Sequence, residues 1–198
     1  RQDISKYVNR LIDSEEITIT YVGRLFPGGK SKGVDTIVKI AKEFKNSRLI
    51  KKFDIVGGDY KELAKFKNIV CKENVESKFN LLGQLIHKRA IEHLLKSDIV
   101  ILTRPDDPNY RGFPLKSLEA VAAGKIVLVE DCEVFRDIFS HNVFLIWFKP
   151  NHLKSVEKRI ARAINDPEII EKLAKNVEFA SQFTWEKRTL QMLNSTID

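Results

Sequence analysis

A chain of 198 residues, 43% hydrophobic and 31% charged, holds enough apolar material for one full α/β core or two very small ones. Its 34 Lys+Arg against 27 Asp+Glu leave a formal charge of +7, which suits an anionic ligand, a nucleic acid or an acidic membrane surface without choosing among them. No apolar run reaches the length of a membrane span and no signal-peptide pattern opens the chain, while the distant Cys71 and Cys132 match no metal spacing and read as reduced thiols of an intracellular protein.

The chain opens on Arg1 rather than methionine, so a piece of a longer protein is expected. The β-branched run ITITYV at 17–22, closed by Gly23, predicts a strand. Val34, Ile37, Val38, Ala41 and Phe44 then recur at helical spacing and predict a helix over 33–44. A second strand is expected at 53–56, closed by Gly57 and Gly58, with a short helix over 60–67. Residues 78–82 read as a strand ending at Gly83, and Ile91, Leu94 and Leu95 place a helix over 87–96. DIVIL at 98–102 is the most strand-like run. A helix over 114–123 follows, with Gly124 as its C-terminal cap. Two more strands are expected at 126–129 and 143–147. Past Pro150 the pattern is only helical, over 150–165, 167–181 and 184–195, with Asp166-Pro167 as a stop and restart.

Strands alternating with helices predict an α/β fold: a doubly wound, mainly parallel, Rossmann-like sheet with helices on both faces and a helical C-terminal tail. In such sheets ligands sit beyond the carboxyl ends of the strands, near the point where strand order reverses. The stretches to inspect are therefore 23–33, 57–60, 83–87, 103–114 and 130–133.

The first of these joins a strand to a helix and carries Arg24, Lys30 and Lys32. Basic side chains beside the amides of a helix N-terminus make a phosphate site, the alternative being a surface loop with ordinary charges. Gly29-Lys30-Ser31 imitates the end of a P-loop, but the required first glycine falls on Arg24 and the loop has the wrong length. Asp106 and Asp107, between two prolines, read as a turn rather than a metal site. None of His87, His93, His141 and His152 has a ligand or nucleophile at productive spacing; His87 alone lies on a loop at the active edge, and reads as a surface histidine. Gly112-Phe113-Pro114 breaks the chain just before the 114–123 helix and would present its first amides to a phosphate. Glu119, one turn past Leu115, is placed either to accept the hydroxyls of a ribose or to face solvent.

Together, Ile-Thr-Tyr-Val-Gly-Arg-Leu at 19–25 with Lys32-Gly33, Asp-Ile-Val-Gly-Gly at 54–58, Leu-Leu-Gly at 81–83, Ser-Asp-Ile-Val at 97–100, Gly-Phe-Pro-Leu-Lys-Ser-Leu-Glu-Ala-Val-Ala-Ala-Gly at 112–124 and Phe-Thr-Trp at 183–185 resemble the C-terminal, donor-binding domain of a GT-B glycosyltransferase of family four, the glycosyl transferases group 1. The resemblance divides the chain into an interdomain linker or helix at 1–16, a nucleotide-sugar-binding domain at 17–182 and a C-terminal helix at 183–198, and implies a further N-terminal acceptor domain absent from this chain. It implies a retaining transfer from a nucleoside-diphosphate sugar, with no cofactor and no required metal. Arg24 and Lys32 would hold the donor diphosphate and act with Glu119 in catalysis, with Lys30 as a stand-in and Gly23 at the turn. The backbone around Phe113, Pro114, Leu115 and Lys116 would add amides, Gly83, Gln84 and Ile86 would line the base pocket, and Glu119 would take the ribose. The acceptor would be a glycan, a lipid-linked sugar or a small molecule. The implied location is cytoplasmic, with peripheral association at the inner membrane face left open.

One departure stands out. Eight residues before the ribose glutamate the family usually carries another glutamate, and this chain has Arg111. Arg111, with Gly112 beside it, is accordingly a candidate sugar contact of reversed charge, and it supports a rival reading as a non-catalytic nucleotide or sugar-phosphate binding module. A nucleic-acid binder would need a basic stripe with interleaved aromatics, whereas Phe53, Phe79, Phe144 and Trp147 fall in strand patterns that read as core, so no nucleic acid is expected.

Overall fold

The computed structural model describes residues 3–105, 115–139 and 143–183. Among these residues the strands are β1 (Ile17–Val22), β2 (Ile50–Val56), β3 (Phe79–Gly83), β4 (Ile99–Leu102), β5 (Ile126–Glu130) and β6 (Ile146–Phe148). The helices are α1 (Ile4–Ile12), α2 (Val34–Glu43), α3 (Tyr60–Lys72), α4 (His87–Lys96), α5 (Leu115–Ala122), α6 (Glu133–Ile138), α7 (Val156–Ile164) and α8 (Ile169–Ala180). The strands form one sheet in the order β3-β2-β1-β4-β5-β6, and every pairing is parallel. This is the doubly wound, Rossmann-like α/β architecture that the alternation of elements predicts.

The period of two along a strand explains the layers. Ile99, Ile101, Ile126 and Leu128 face one side of the sheet with Ile19 and Phe53, under Leu11, Ile37, Phe66 and Ile160 of α1, α2, α3 and α7. Val100, Leu102, Val127 and Val129 face the other, under Leu94, Leu118, Val121 and Phe135 of α4, α5 and α6. β4 and β5 are therefore buried on both faces, as their unbroken apolar runs require. Each such side chain contributes about 1.5–3 kcal/mol by leaving water.

Several elements differ from the sequence expectation for local reasons. β2 begins at Ile50, which pairs with Ile17, while the exposed Lys51 beside it hides the strand in the sequence and holds Glu16 at 2.6 Å. α3 extends to Lys72 because Phe66 and Val70 continue its buried face. β6 is shorter than 143–147: the backbone N–H and C=O of Phe144 are taken by the amide of the buried Asn176, at 2.7 and 2.8 Å, so no strand neighbour holds them. α6, six residues with Phe135 as its buried anchor, carries too little periodicity to announce itself. α1 packs Tyr7, Val8 and Leu11 into the core against α7 and α8, with Asp3 capping its first turn. Phe53 and Phe79 are core, but Phe144 and Trp147 are only half-buried, which corrects the reading of all four as core. The expected helix at 184–195 lies outside the described residues.

At the amino ends of the strands a polar cluster fastens α1 to the sheet. The Tyr7 hydroxyl donates to the Asp98 carbonyl and accepts the Ile126 N–H at 3.1 Å. The Asp98 carboxylate accepts the Thr18 N–H at 2.8 Å and pairs with Arg10 at 2.6 Å. Lys125 is fully buried there, its Nζ donating to the Ser97 carbonyl at 2.9 Å and sitting 4.1 Å above the Tyr7 ring. At the opposite, carboxyl ends the chain departs from β1 and β4 toward different sides of the sheet, which opens the crevice where ligands of such folds bind.

Candidate functional site

The stretch after β1 is built rather than loose. The Tyr21 hydroxyl donates to the Arg24 carbonyl at 2.8 Å, the Lys32 N–H returns to the Leu25 carbonyl at 2.9 Å, and Thr103 at the end of β4 donates to the Lys32 carbonyl at 3.2 Å. Gly33 closes the loop at φ +81, where an added Cβ would stand 2.4 Å from the Arg104 carbonyl oxygen. Gly57, at φ +125, lets β2 pass so close to β1 that its Cβ would lie 2.0 Å from the Gly23 carbonyl oxygen. Both positions demand glycine.

These turns set Lys32 directly before a helix start and Arg24 on the cleft wall. α2 begins at Gly33 without a side-chain cap, so its first amides and the positive end of its dipole are available to an anion. Lys32 sits immediately before it. Burial, and then the positive charge of Arg24, push the Lys32 ammonium below its ordinary value.

The neighbouring helix is arranged in the opposite sense. α3 starts with a capping box: Asp59 Oδ1 accepts the N–H groups of Lys61 and Glu62, both at 2.9 Å, and Glu62 returns to the Asp59 N–H at 3.3 Å. Asp59 takes two of its first amides, and Glu62 takes the amide of the cap itself. A third acid, the buried Glu130 that ends β5, accepts the Arg104 N–H at 2.9 Å and holds the start of the 103–114 stretch; burial raises its carboxyl above the usual range.

Between these loops lies a cleft of about 560 Å³ lined by Gly23, Arg24, Gly57, Gly58, Asp59, Glu62, Gln84, Leu85, His87 and Lys116, among others. Of the sequence-predicted residues, the structure brings Gly23, Arg24, Gln84 and Lys116 to its wall. Lys32 lies behind Arg24, and Lys30 is exposed on the outer turn of the loop. Gly83 ends β3, buried, with its carbonyl accepting the Gly57 N–H at 2.7 Å; Ile86 stands 71% exposed before α4 and does not line the cleft. Glu119 is half-buried on α5 and accepts from Lys116 at 2.8 Å, so it meets the cleft through that lysine. Leu115 opens α5. Arg111, Gly112, Phe113 and Pro114 lie outside the described residues. No group of His, Cys, Asp and Glu able to hold a metal occurs among the described residues, and no helix among them is long and apolar enough to cross a membrane.

Sequence reasoning missed Asp59 and Glu62. The signal was present: Asp-x-x-Glu directly after Gly57-Gly58 is a helix-start pattern at the carboxyl edge of a strand. His87, read as a surface histidine, is exposed but does line the cleft.

A 99-residue segment is 33% identical to a Campylobacter jejuni enzyme named N,N'-diacetylbacillosaminyl-diphospho-undecaprenol alpha-1,3-N-acetylgalactosaminyltransferase, covering 47% of this chain and 26% of that protein. An uncharacterised glycosyltransferase of Methanocaldococcus jannaschii is 23% identical over 186 residues, 92% of this chain and 45% of its own length. Among solved structures, sucrose-phosphate synthase from Thermosynechococcus elongatus superimposes with a TM-score of 0.71 at 20% identity, covering 97% of this chain and 48% of that one. Anabaena HepE, solved in complex with UDP and glucose, gives 0.68 at 19% identity over 98% of this chain and 51% of its own. The chain thus spans between a quarter and about half of the proteins it matches. A family model described as glycosyl transferases group 1 matches residues 5–179, and the chain belongs to that family.

Proposed function

We propose that this chain is the donor-binding half of a retaining, metal-independent glycosyltransferase that takes a sugar from a nucleoside-diphosphate sugar. The observation that carries the reading is Arg24 on the wall of a cleft of about 560 Å³ at the carboxyl ends of β1 and β2, close enough to the partly buried Lys32 for its charge to lower that lysine's pKa, with Lys32 directly before the uncapped start of α2. When the bond between the sugar's anomeric carbon and the diphosphate oxygen breaks, its electron pair leaves with the diphosphate. Fixed cations and helix amides stabilise that growing charge without having to reorganise. Lys116 lines the cleft and holds Glu119 behind it, the carboxylate assigned to the ribose. HepE, solved with UDP and UDP-glucose, supports a nucleotide-sugar donor. The lipid-linked substrate in the Campylobacter enzyme's name favours, among acceptors, a lipid-linked sugar bound by a second domain at the cytoplasmic face of a membrane.

Titration calorimetry of the chain with UDP, GDP and ADP tests the reading. One nucleoside diphosphate should bind selectively, and Arg24→Ala should weaken it about 10–100-fold, the loss of a charge-assisted hydrogen bond. Glu119→Ala should cost about 1–3 kcal/mol by loss of the ribose contact. Unchanged affinity in a folded Arg24→Ala variant would remove the diphosphate from this loop. Arg111, where the family usually has glutamate, favours a second reading, a binding module without transferase activity. A transfer assay on the full-length protein separates the two.

A further inference from the structure

Glu62 does more than a capping residue needs to. Its carboxylate is 7% exposed and reaches back across the sheet edge to the loop after β1. There it accepts the Phe26 N–H at 2.9 Å and the Leu25 N–H at 3.5 Å, and its Oε1 lies 3.6 Å from the Arg24 guanidinium. An ordinary capping glutamate satisfies its own helix start and ends there. Here one buried carboxylate joins the Asp59 amide, two amides of a loop 36 and 37 residues earlier, and the cation that lines the cleft.

We propose that Glu62 is the positioning residue for Arg24, setting where the guanidinium meets the ligand's diphosphate; this rests on the donor-site reading above. The backbone of Arg24 is fixed on both sides, by Tyr21 at its carbonyl and by Glu62 at the two following amides. Its side chain is 66% exposed, and the buried Glu62 carboxylate is the charge that meets its guanidinium. Asp59 takes the Lys61 and Glu62 amides of α3 and Glu62 takes the Asp59 amide, so the start of that helix is already closed by carboxylates. Glu62 therefore aims Arg24 at the diphosphate from the cleft wall. It is not itself a ligand contact.

The test is calorimetry on the chain with whichever of UDP, GDP and ADP binds and with the matching nucleoside as control. Glu62→Gln keeps the shape and one acceptor but removes the charge. It should weaken the diphosphate about 10-fold, leave the nucleoside within about twofold, and add little once Arg24 is already alanine, since residues acting as a unit are not additive. A thermal melt monitors folding. Should Glu62→Gln fail to fold, Glu62→Asp, which retains the charge on a shorter arm, must show the same selective loss of the diphosphate. Three outcomes overturn the proposal: diphosphate affinity unchanged in the folded variant, equal weakening of nucleoside and diphosphate, or a full effect persisting in the Arg24→Ala background. If Arg24→Ala itself leaves affinity unchanged, the donor-site reading fails. If Arg24→Ala weakens binding and the Glu62 variants do not, only the positioning role fails.

Discussion

Lys125 offers the sharpest test of how the core is balanced. It is completely buried at the amino ends of β4 and β5, and its environment, burial first and the Arg10 charge second, lowers its pKa from an ordinary 10.5 to about 7. The Ser97 carbonyl and the Tyr7 ring supply only part of what water gave the ammonium. At 1.36 kcal/mol per tenfold change in proton affinity, that difference amounts to about 5 kcal/mol against the folded, charged form. The sign follows from linkage. The unfolded lysine keeps its proton up to 10.5 and the folded one releases it near 7, so between these values the unfolded state binds more protons and stability rises with pH. Below 7 both states are charged and the penalty is constant. From pH 7.5 to 8.5 this one residue should add about 1.2 kcal/mol to the unfolding free energy. Urea titrations at these two pH values, run on the wild type and on Lys125→Met, isolate it, because Cys132, whose thiol is raised by burial, and every other group contribute equally to both proteins. The methionine variant should lose the gain. Parallel pH dependences in the two proteins would refute the argument and mean that the cluster around Tyr7 fully compensates the charge.

Two other perturbations bear on the carboxyl edge. Gly57→Ala places a methyl 2.0 Å from the Gly23 carbonyl oxygen at a φ of +125, so the β1 and β2 ends must separate; a loss of about 2–4 kcal/mol in urea denaturation, with weaker diphosphate binding, is expected. A stability within 0.5 kcal/mol of wild type, roughly the scatter of surface substitutions, would show that the contact relaxes easily. Lys32, its pKa lowered by burial and Arg24, should lose its charge earlier than an ordinary lysine as pH rises, so nucleoside-diphosphate affinity measured by calorimetry should decline on the alkaline side. The Arg24→Ala variant should move that decline to higher pH.

The layers of the fold were legible because burial on both faces forces apolar runs into β4 and β5 and a period of 3.6 into α2 and α4. What stayed hidden shares a cause: polar side chains completing the backbone's hydrogen bonds at long range. Asn176 replaces a strand neighbour for Phe144, Asp98 holds Thr18, and Glu62 holds Phe26, and none of these pairings has a local sequence signature. The loop after β1 was visible as a basic stretch between a strand and a helix, which is why Arg24 and Lys32 were found. Its fixing partners, Glu62 and Thr103, come from elements 30 or more residues away in sequence and only the fold brings them together.

The placement of carboxylates argues for where an anion would go. Three acids stand at the carboxyl edge: Asp59 and Glu62 at the start of α3, and Glu130 at the end of β5. Each accepts backbone N–H groups, and two of the three are buried, so none is simply a solvated surface charge. Together they hold the loops on both flanks of the start of α2, which itself is left without a side-chain cap. The acids at the start of α3 and the cations Arg24 and Lys32 make a gradient of potential along this edge of the sheet. On the proposed reading a diphosphate follows that gradient toward Arg24 and Lys32, and its orientation is set before any second domain closes over it. Asp59→Asn, which removes the charge and keeps a good capping side chain, should then strengthen anion binding only if the diphosphate reaches the start of α3; if the loop geometry dictates the pose, it leaves affinity unchanged.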